Sequence, residues 1–241
     1  MTFLYKILGM LLQLLPKIKK VKLLDMEAKF FLPINNHYVA NDISDLNNGT
    51  REPKLYEWLN SIKDNSIYFD IGTSYGQEVS LLSGSKNKKI KVVGFDCSLA
   101  TAHFCAINKK LNNDNFQFIF AAISNVTGKL TKIETSSDIH RLSSKRGVIK
   151  YSYDVMTLKL DDFCLEKGVY PTHLKIDIDG QEFEALKGAE NILKRSELKE
   201  IFIEIENKNY QQVAKYIKSF GFKIIFEIKK IENTETIFLK S

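Results

Sequence analysis

From Thr50 onward the apolar positions of this chain switch repeatedly between a period near two and a period near 3.6, with turn residues at the switches. Thr50 can cap a helix that has Pro53 in its first turn and carries Leu55, Trp58, Leu59 and Ile62 at helical spacing. "SIYFDIG" predicts a short strand ending at Asp70 and Gly72, followed by a helical pattern through Val79, Leu81 and Leu82. "KIKVVGFD" predicts a second strand ending at Asp96, "SLATAHFCAINKKLN" the helix after it, and "NFQFIFAAIS" a third strand. This spacing builds βαβ units and a parallel sheet. The alternation lapses between Asn125 and Pro171, where "KLTKIE" and "YDVMTLKL" predict strands around the loop "TSSDIHRLSSKRG", and "DDFCLEKG" a short helix. It resumes with a strand and helix in "HLKIDIDGQEFEALKGAENIL", a fifth strand in "EIFIEIE" and a helix in "NYQQVAKYIKSFG". The last two strands, "FKIIFEI" and "TIFLK", have only "KKIENTE" between them, too short for a parallel crossover, so they are expected to be antiparallel neighbours. The expected fold is α/β, with a mostly parallel seven-stranded sheet ending in an antiparallel hairpin.

Ahead of Thr50 the pattern is weaker. Residues 23–49 are turn-rich and polar and predict a loop or lid. The apolar stretch from Phe3 to Leu15 is interrupted by Lys6 and Gln13 and stopped by Pro16, well short of the roughly 20 residues that cross a bilayer. It lacks the basic start and small-residue cleavage site of a signal peptide. Phe3, Ile7, Met10, Leu11 and Leu14 share one helical face and Lys17, Lys19, Lys20 and Lys22 follow, which suits an interfacial helix on anionic lipid. Packing on its own domain or on a second subunit explains the face equally well. The chain thus divides into residues 1–49, an amphipathic helix and loop or lid, and residues 50–241, a single domain with an insertion at about 125–171 and, through residues 3–22, a candidate peripheral membrane contact.

With 241 residues and 44% hydrophobic content the chain can bury one large core. The net charge of +6 raises the question of nucleic acid, but the lysines are spread through loops rather than massed on one helix, so a solvated surface is the better reading. The three cysteines, Cys97, Cys105 and Cys164, form no CxxC pair, which argues against a zinc ribbon or a disulfide framework and suits a reducing cytoplasm. No two histidines have metal-ligand spacing, so a metal would have to come through carboxylates, and none is expected.

The candidate chemistry starts from one anomaly. Lys175, Asp177 and Asp179 occupy every second position of a strand that should be buried on both faces, where an unpaired charge is costly. That row must meet water or a ligand, or form an internal lysine–carboxylate pair that holds the turn. Ligands of open α/β sheets sit beyond the carboxyl ends of the strands. At the first such end stands "FDIGTSYGQE", where Gly72 and Gly76 allow a tight turn and close approach to a nucleoside, and the following helix offers free N–H groups to an anion. Asp96 lies 20 residues beyond Gly76, the distance at which a carboxylate meets ribose hydroxyls. The loop is not Gly-x-Gly-x-x-Gly and no Gly-Lys-Ser/Thr phosphate loop exists, so the marks of dinucleotide and nucleoside-triphosphate sites are missing. S-adenosylmethionine remains, with a ribose for Asp96, cationic groups for Asp70 and Asp177, and a carboxylate for backbone N–H groups.

The stretches "FDIGTSYGQEVSLL", "VVGFD", "AAISNVTGKL", "MTLKLDDF", "LKIDIDGQEFEALKGAENIL" and "IFIEIE" resemble, in order, the motifs of the FkbM-type methyltransferase family, from about Thr50 to Glu206. The resemblance implies a Rossmann-like methyltransferase fold, S-adenosylmethionine as cofactor, and methylation of oxygen, often on sugars. It also implies cofactor contacts from Ser74 and Ala122. Family sequences usually carry Ala-Asn where Thr73 and Ser74 stand, Glu-Pro where Asp96 and Cys97 stand, and Glu in place of Asp179. The acid changes keep the charge, and Ser74 offers one donor fewer than Asn.

An alcohol needs a base as its proton leaves. Asp177 is the first candidate, oriented by Lys175, and His140 in the insertion is the second. Glu204 is expected to face Lys175 across the crevice, Glu182 and Glu184 to lie on an exposed helix start, and the insertion to form a substrate wall. The leading expectation is an O-methyltransferase acting on a sugar hydroxyl of a glycan or glycolipid precursor, in the cytoplasm or at the inner face of the membrane. The alternatives are an RNA ribose 2′-O-methyltransferase and a non-catalytic subunit of a glycan assembly; nucleic acid is disfavoured because no aromatic and arginine cluster is present for base stacking.

Overall fold

The computed structural model describes residues 18–33, 37–136 and 149–241. Its first elements correct the expectation of a loop or lid before residue 50. Strands β1 (Ile18–Leu23) and β2 (Met26–Phe31) form an antiparallel hairpin in which Val21 faces Ala28. Helix α1 (His37–Asn48) follows and buries Val39, Ile43 and Leu46, one stripe at helical spacing inside an otherwise polar segment. These side chains join Val21, Met26 and Phe30 in a core shared with Leu55, Leu59, Tyr68 and Val79, so residues 18–49 pack with the sheet rather than apart from it. Lys19, Lys20 and Lys22 accordingly sit on β1 and not on the tail of an amphipathic helix. Phe3 to Lys17 lie outside the described residues.

Helix α2 (Pro53–Ser61) has the expected buried stripe, with Leu55, Trp58 and Leu59 inside, but Thr50 does not cap it. The Thr50 hydroxyl donates instead to the Asp45 carbonyl at 3.2 Å, and Glu52 holds the N-cap position with a left-handed φ of 36°. The right-handed helical region is disfavoured for a residue before proline, and Glu52 lies outside it.

The βαβ alternation then runs through β3 (Ile67–Ile71), α3 (Gln77–Ser83), β4 (Lys91–Asp96), α4 (Leu99–Leu111) and β5 (Gln117–Phe120). The expected third strand is split: β6 (Ala122–Ile123) turns away to pair with β8 (Lys150–Leu158), which pairs with β7 (Leu130–Ser136) in a separate sheet. The chain returns through α5 (Leu160–Lys167), β9 (His173–Ile176), α6 (Glu182–Lys187), α7 (Glu190–Lys194), β10 (Glu200–Glu206), α8 (Tyr210–Lys218), β11 (Phe222–Lys229) and β12 (Asn233–Lys240).

The main sheet has seven strands in the order β11-β12-β10-β9-β3-β4-β5, parallel except for β12, which runs antiparallel to both β10 and β11. From β3 the chain order grows outward to β4 and β5 on one side and to β9 and β10 on the other. The switch lies between β3 and β9, where the two carboxyl ends open a crevice. The second core, with Phe69, Phe95, Leu174, Ile176, Leu186 and Ile203, fills the opposite face of the sheet. Each fully buried Leu, Ile or Phe contributes about 1.5–3 kcal/mol relative to exposure. Among the described residues no helix is long and apolar enough to cross a membrane.

Candidate active site

The ends of β3 and β9 meet at backbone distance. The Asp177 N–H donates to the Ile71 carbonyl at 2.9 Å, and a Cβ built on Gly72, whose φ is 90°, would lie 1.8 Å from the Asp177 carbonyl oxygen. Only glycine fits. The N–H groups of Gly72 and Thr73 both donate to the Phe95 carbonyl, at 2.9 and 3.0 Å, which fixes the same loop to β4. Asp96, at the end of β4, accepts the Ser74 N–H at 2.7 Å and the Ser98 N–H at 2.6 Å. Burial nevertheless pushes its carboxyl up to about 6.

A cavity of about 890 Å³ opens over these strand ends. Gly72, Ser74, Asp96, Cys97, Ser98, Thr101, Ala121 and Ile123 line it near β4 and β5, and Asp177, Asp179 and Glu204 near β9 and β10. The insertion forms part of its wall through Ile133, Glu134, Thr135, Lys150 and Tyr153. The Tyr153 hydroxyl donates to the Cys97 carbonyl at 2.8 Å and accepts the Leu99 N–H at 3.0 Å, which pins that wall to the loop after β4.

The row of charge has two fates. Lys175 is 2% exposed and lies behind the cavity, 3.2 Å from Asp70 and 3.5 Å from Asp177. Asp70 is fully buried and accepts the Thr73 hydroxyl at 2.6 Å. It does not line the cavity, which corrects its assignment to a cationic group of the ligand: its charge is used internally. Burial disfavours the Lys175 ammonium, but Asp70 and then Asp177 outweigh that and hold it well above the usual lysine range. Asp177 itself, 34% exposed, and Asp179 line the cavity. The row therefore combines an internal lysine–carboxylate pair with two carboxylates on the cavity wall.

Other expected residues are placed differently. Glu204 lines the cavity but does not face Lys175; it pairs with Lys230 at 3.3 Å and accepts from the Asn233 side chain. Ala122 is not in the lining, because its strand turns toward β8, and its neighbours Ala121 and Ile123 are there instead. Gly76 supports the turn from behind, where an added Cβ would come 2.9 Å from the Cys105 sulfur. Glu182, expected on an exposed helix start, is buried and accepts the Gly180 N–H at 2.6 Å. His140 lies outside the described residues.

The sequence reading missed Tyr38, Arg51, Glu52 and Gln77, which also line the cavity. Glu52, Glu204 and Glu235 each bring a carboxylate oxygen within 4.8 Å of the others. Lys230 pairs with both Glu204 and Glu235, so a cation of the chain already sits against two of the three. Among the described residues three buried side-chain atoms of the lining have no hydrogen-bond partner: Arg51 Nε, Gln77 Oε1 and Thr101 Oγ1.

Residues 70–224 match the family described as the methyltransferase FkbM domain. The chain belongs to this family. As an FkbM methyltransferase it depends on S-adenosylmethionine, and the residues present fit that group. Asp96 offers carboxylate oxygens at the β4 end, and Gly72 leaves room for close approach. Among solved structures, fibrillarin from Aeropyrum pernix with natively bound S-adenosyl-L-methionine is similar with a TM-score of 0.50 and 10% identity, over 92% of this chain and 94% of that one. Precorrin-6y C5,15-methyltransferase from Geobacter metallireducens GS-15 is similar with a TM-score of 0.49 and 13% identity, over 78% of this chain and 86% of that one. At such identities the likeness concerns the fold alone. No curated protein sequence matches the chain.

Proposed function

We propose that this FkbM methyltransferase transfers a methyl group to a sugar hydroxyl of a glycan or glycolipid precursor, with Asp177 as general base. The observation that carries the reading is the position of Asp177: half-buried in the cavity wall, directly after β9, with the buried Lys175 ammonium 3.5 Å behind it. S-adenosylmethionine, when bound, supplies the electrophilic methyl on its sulfonium. Asp96 and the Gly72–Gly76 loop hold the nucleoside end. Asp177 accepts the proton of the acceptor hydroxyl as its oxygen becomes nucleophilic, and Lys175 keeps the carboxylate oriented. Glu204, pushed up to about 7 by burial and by the charge of Asp177, carries a proton part of the time at neutral pH and can donate to an acceptor oxygen. Asp179, also in the cavity wall, can accept from a neighbouring hydroxyl of a polyol.

The same lining weighs against RNA as the acceptor. Among the described residues, Glu52, Asp96, Glu134, Asp177, Asp179 and Glu204 line the cavity against Arg51 and Lys150, a balance unfavourable to phosphates. The open Asp177 and the glycine crossing weigh against a non-catalytic subunit. The test is transfer of tritium from methyl-labelled S-adenosylmethionine to a panel of nucleotide sugars, oligosaccharides, lipid-linked sugars and RNA. Label on a sugar oxygen supports the proposal, and label entering RNA alone overturns it.

A further inference from the structure

Arg51 and Glu52 are consecutive, yet both side chains line the cavity. In extended backbone, neighbouring side chains point to opposite sides. The left-handed turn at Glu52, with φ 36° and ψ 60°, brings the two onto one wall. Such a conformation is strained for a side chain with a Cβ, and strain of this kind gathers at binding sites.

Arg51 is firmly anchored. One terminal nitrogen pairs with Asp42, whose other oxygen accepts the Tyr75 hydroxyl at 2.6 Å, and Tyr75 belongs to the turn between Gly72 and Gly76. The guanidinium is thus fixed relative to the loop that crosses the cofactor crevice. It is 17% exposed, its Nε has no partner among the described residues, and the Glu52 carboxylate lies 3.9 Å from its second terminal nitrogen. Gln77, 3% exposed, also lines the cavity, and its Oε1 has no partner among the described residues. The wall therefore presents the partly exposed edge of a fixed guanidinium to an anion and, one residue away, a carboxylate to a cation.

We infer that Arg51 and Glu52, with Gln77, clamp the zwitterionic amino-acid end of S-adenosylmethionine: Arg51 receives its carboxylate and Glu52 its ammonium. The inference rests on the methyltransferase reading of the same cavity. Asp96 marks the ribose end at β4, the Gly72–Gly76 loop lies over β3, and Glu52 lies toward β10, where its carboxylate comes within 4.8 Å of that of Glu204. The amino-acid end of a cofactor laid from β4 across β3 arrives at this pair. Helix α3 has only seven residues, so its dipole is a weak partner for a carboxylate and the guanidinium is the stronger one.

The test is calorimetric binding of S-adenosylmethionine, S-adenosylhomocysteine and 5′-methylthioadenosine, the last of which keeps the nucleoside but lacks the amino acid. Arg51→Ala is expected to weaken the first two by roughly 10- to 100-fold, the loss of hydrogen bonds to a charged group, with methylthioadenosine affinity unchanged. Glu52→Gln is expected to act in the same direction but less. Retained methylthioadenosine binding shows that the fold survives the loss of the Asp42 partner. If Arg51→Ala fails to fold, Arg51→Lys decides, because it keeps the charge and loses the fork. Unchanged affinity for all three ligands, or equal losses for all three, overturns the clamp. So does a variant that binds cofactor normally and loses only the acceptor, since the guanidinium would then serve an acceptor anion. Failure of the unaltered protein to bind S-adenosylmethionine at millimolar concentration would instead overturn the methyltransferase reading, before any variant is made.

Discussion

Replacing Lys175 by methionine separates what the buried charge does for the fold from what it does for chemistry. The ammonium lies 3.2 Å from an Asp70 oxygen and 3.5 Å from an Asp177 oxygen. Asp177 is partly open to water and can be solvated once its partner is gone, but Asp70 is fully buried and keeps only the Thr73 hydroxyl. Coulomb's law at 3.2 Å gives about 5 kcal/mol at an effective dielectric of ~20. Breaking a buried pair by removing one partner costs about 3–5 kcal/mol, so the two routes agree. Against a total stability of about 5–15 kcal/mol, Lys175→Met should be marginally folded. Urea unfolding followed by circular dichroism should show the midpoint falling by on the order of 1–2 M. Asp70→Asn in the Lys175→Met background removes the orphaned charge and should restore most of the loss. The restored double variant should still transfer methyl groups more slowly, because nothing orients Asp177. A Lys175→Met protein within about 1 kcal/mol of the unaltered one, or a double variant no more stable than the single, would refute the reasoning.

Asp96→Ala should weaken S-adenosylmethionine binding by about 1.5–3 kcal/mol in calorimetry, and unchanged affinity would remove Asp96 from the site. Because burial raises the Asp96 carboxyl to about 6, cofactor affinity should fall as pH drops from 7 to 5, and Asp96→Asn should flatten that dependence. The sign for stability is opposite: a carboxyl raised above its unfolded value near 3.8 stabilises the fold below that value and loses the contribution as pH rises through about 6. Cofactor-free protein should therefore lose stability across that window in thermal melts, and Asp96→Asn should not. Gly72→Ala should abolish cofactor binding and lower stability, since its Cβ would sit 1.8 Å from the Asp177 carbonyl and the strands would have to separate; normal binding would contradict the crossing. Deleting residues 1–17 should abolish any sedimentation with anionic liposomes while sparing cofactor affinity. Deleting through Lys22 should instead destabilise the protein, because it removes the strand that buries Val21.

The sheet was legible because each strand is a short β-branched run ending in a turn residue and each helix carries its own apolar stripe. The last two strands could be paired from the length of their connection alone. The β1–β2 hairpin was hidden because lysines interrupt β1 and Val21 is its one fully buried side chain. Helix α1 was hidden because Val39, Ile43 and Leu46 stand among asparagines and aspartates, which on composition alone indicate turns. Gly72, Asp96 and Asp177 could be placed at the cavity wall because strand-end chemistry fixes where a glycine and a carboxylate must fall. Lys175 and Asp70 were found as charges, but which faced the ligand depended on burial that no local pattern records. Arg51 and Glu52 left one signal: a charged pair directly before Pro53, where helical backbone is disfavoured. That the turn would aim both into the cavity depended on Asp42 and Tyr75, both distant in sequence.

The central claim is that Asp177 takes the acceptor's proton, and Asp177→Asn tests it most directly, because it keeps the shape and removes the base. With the sugar acceptor identified by label transfer, kcat should fall by about 10²- to 10⁴-fold while S-adenosylmethionine affinity and the acceptor KM move little. Cofactor affinity falling in step with kcat would contradict it and make Asp177 a ligand of the cofactor instead.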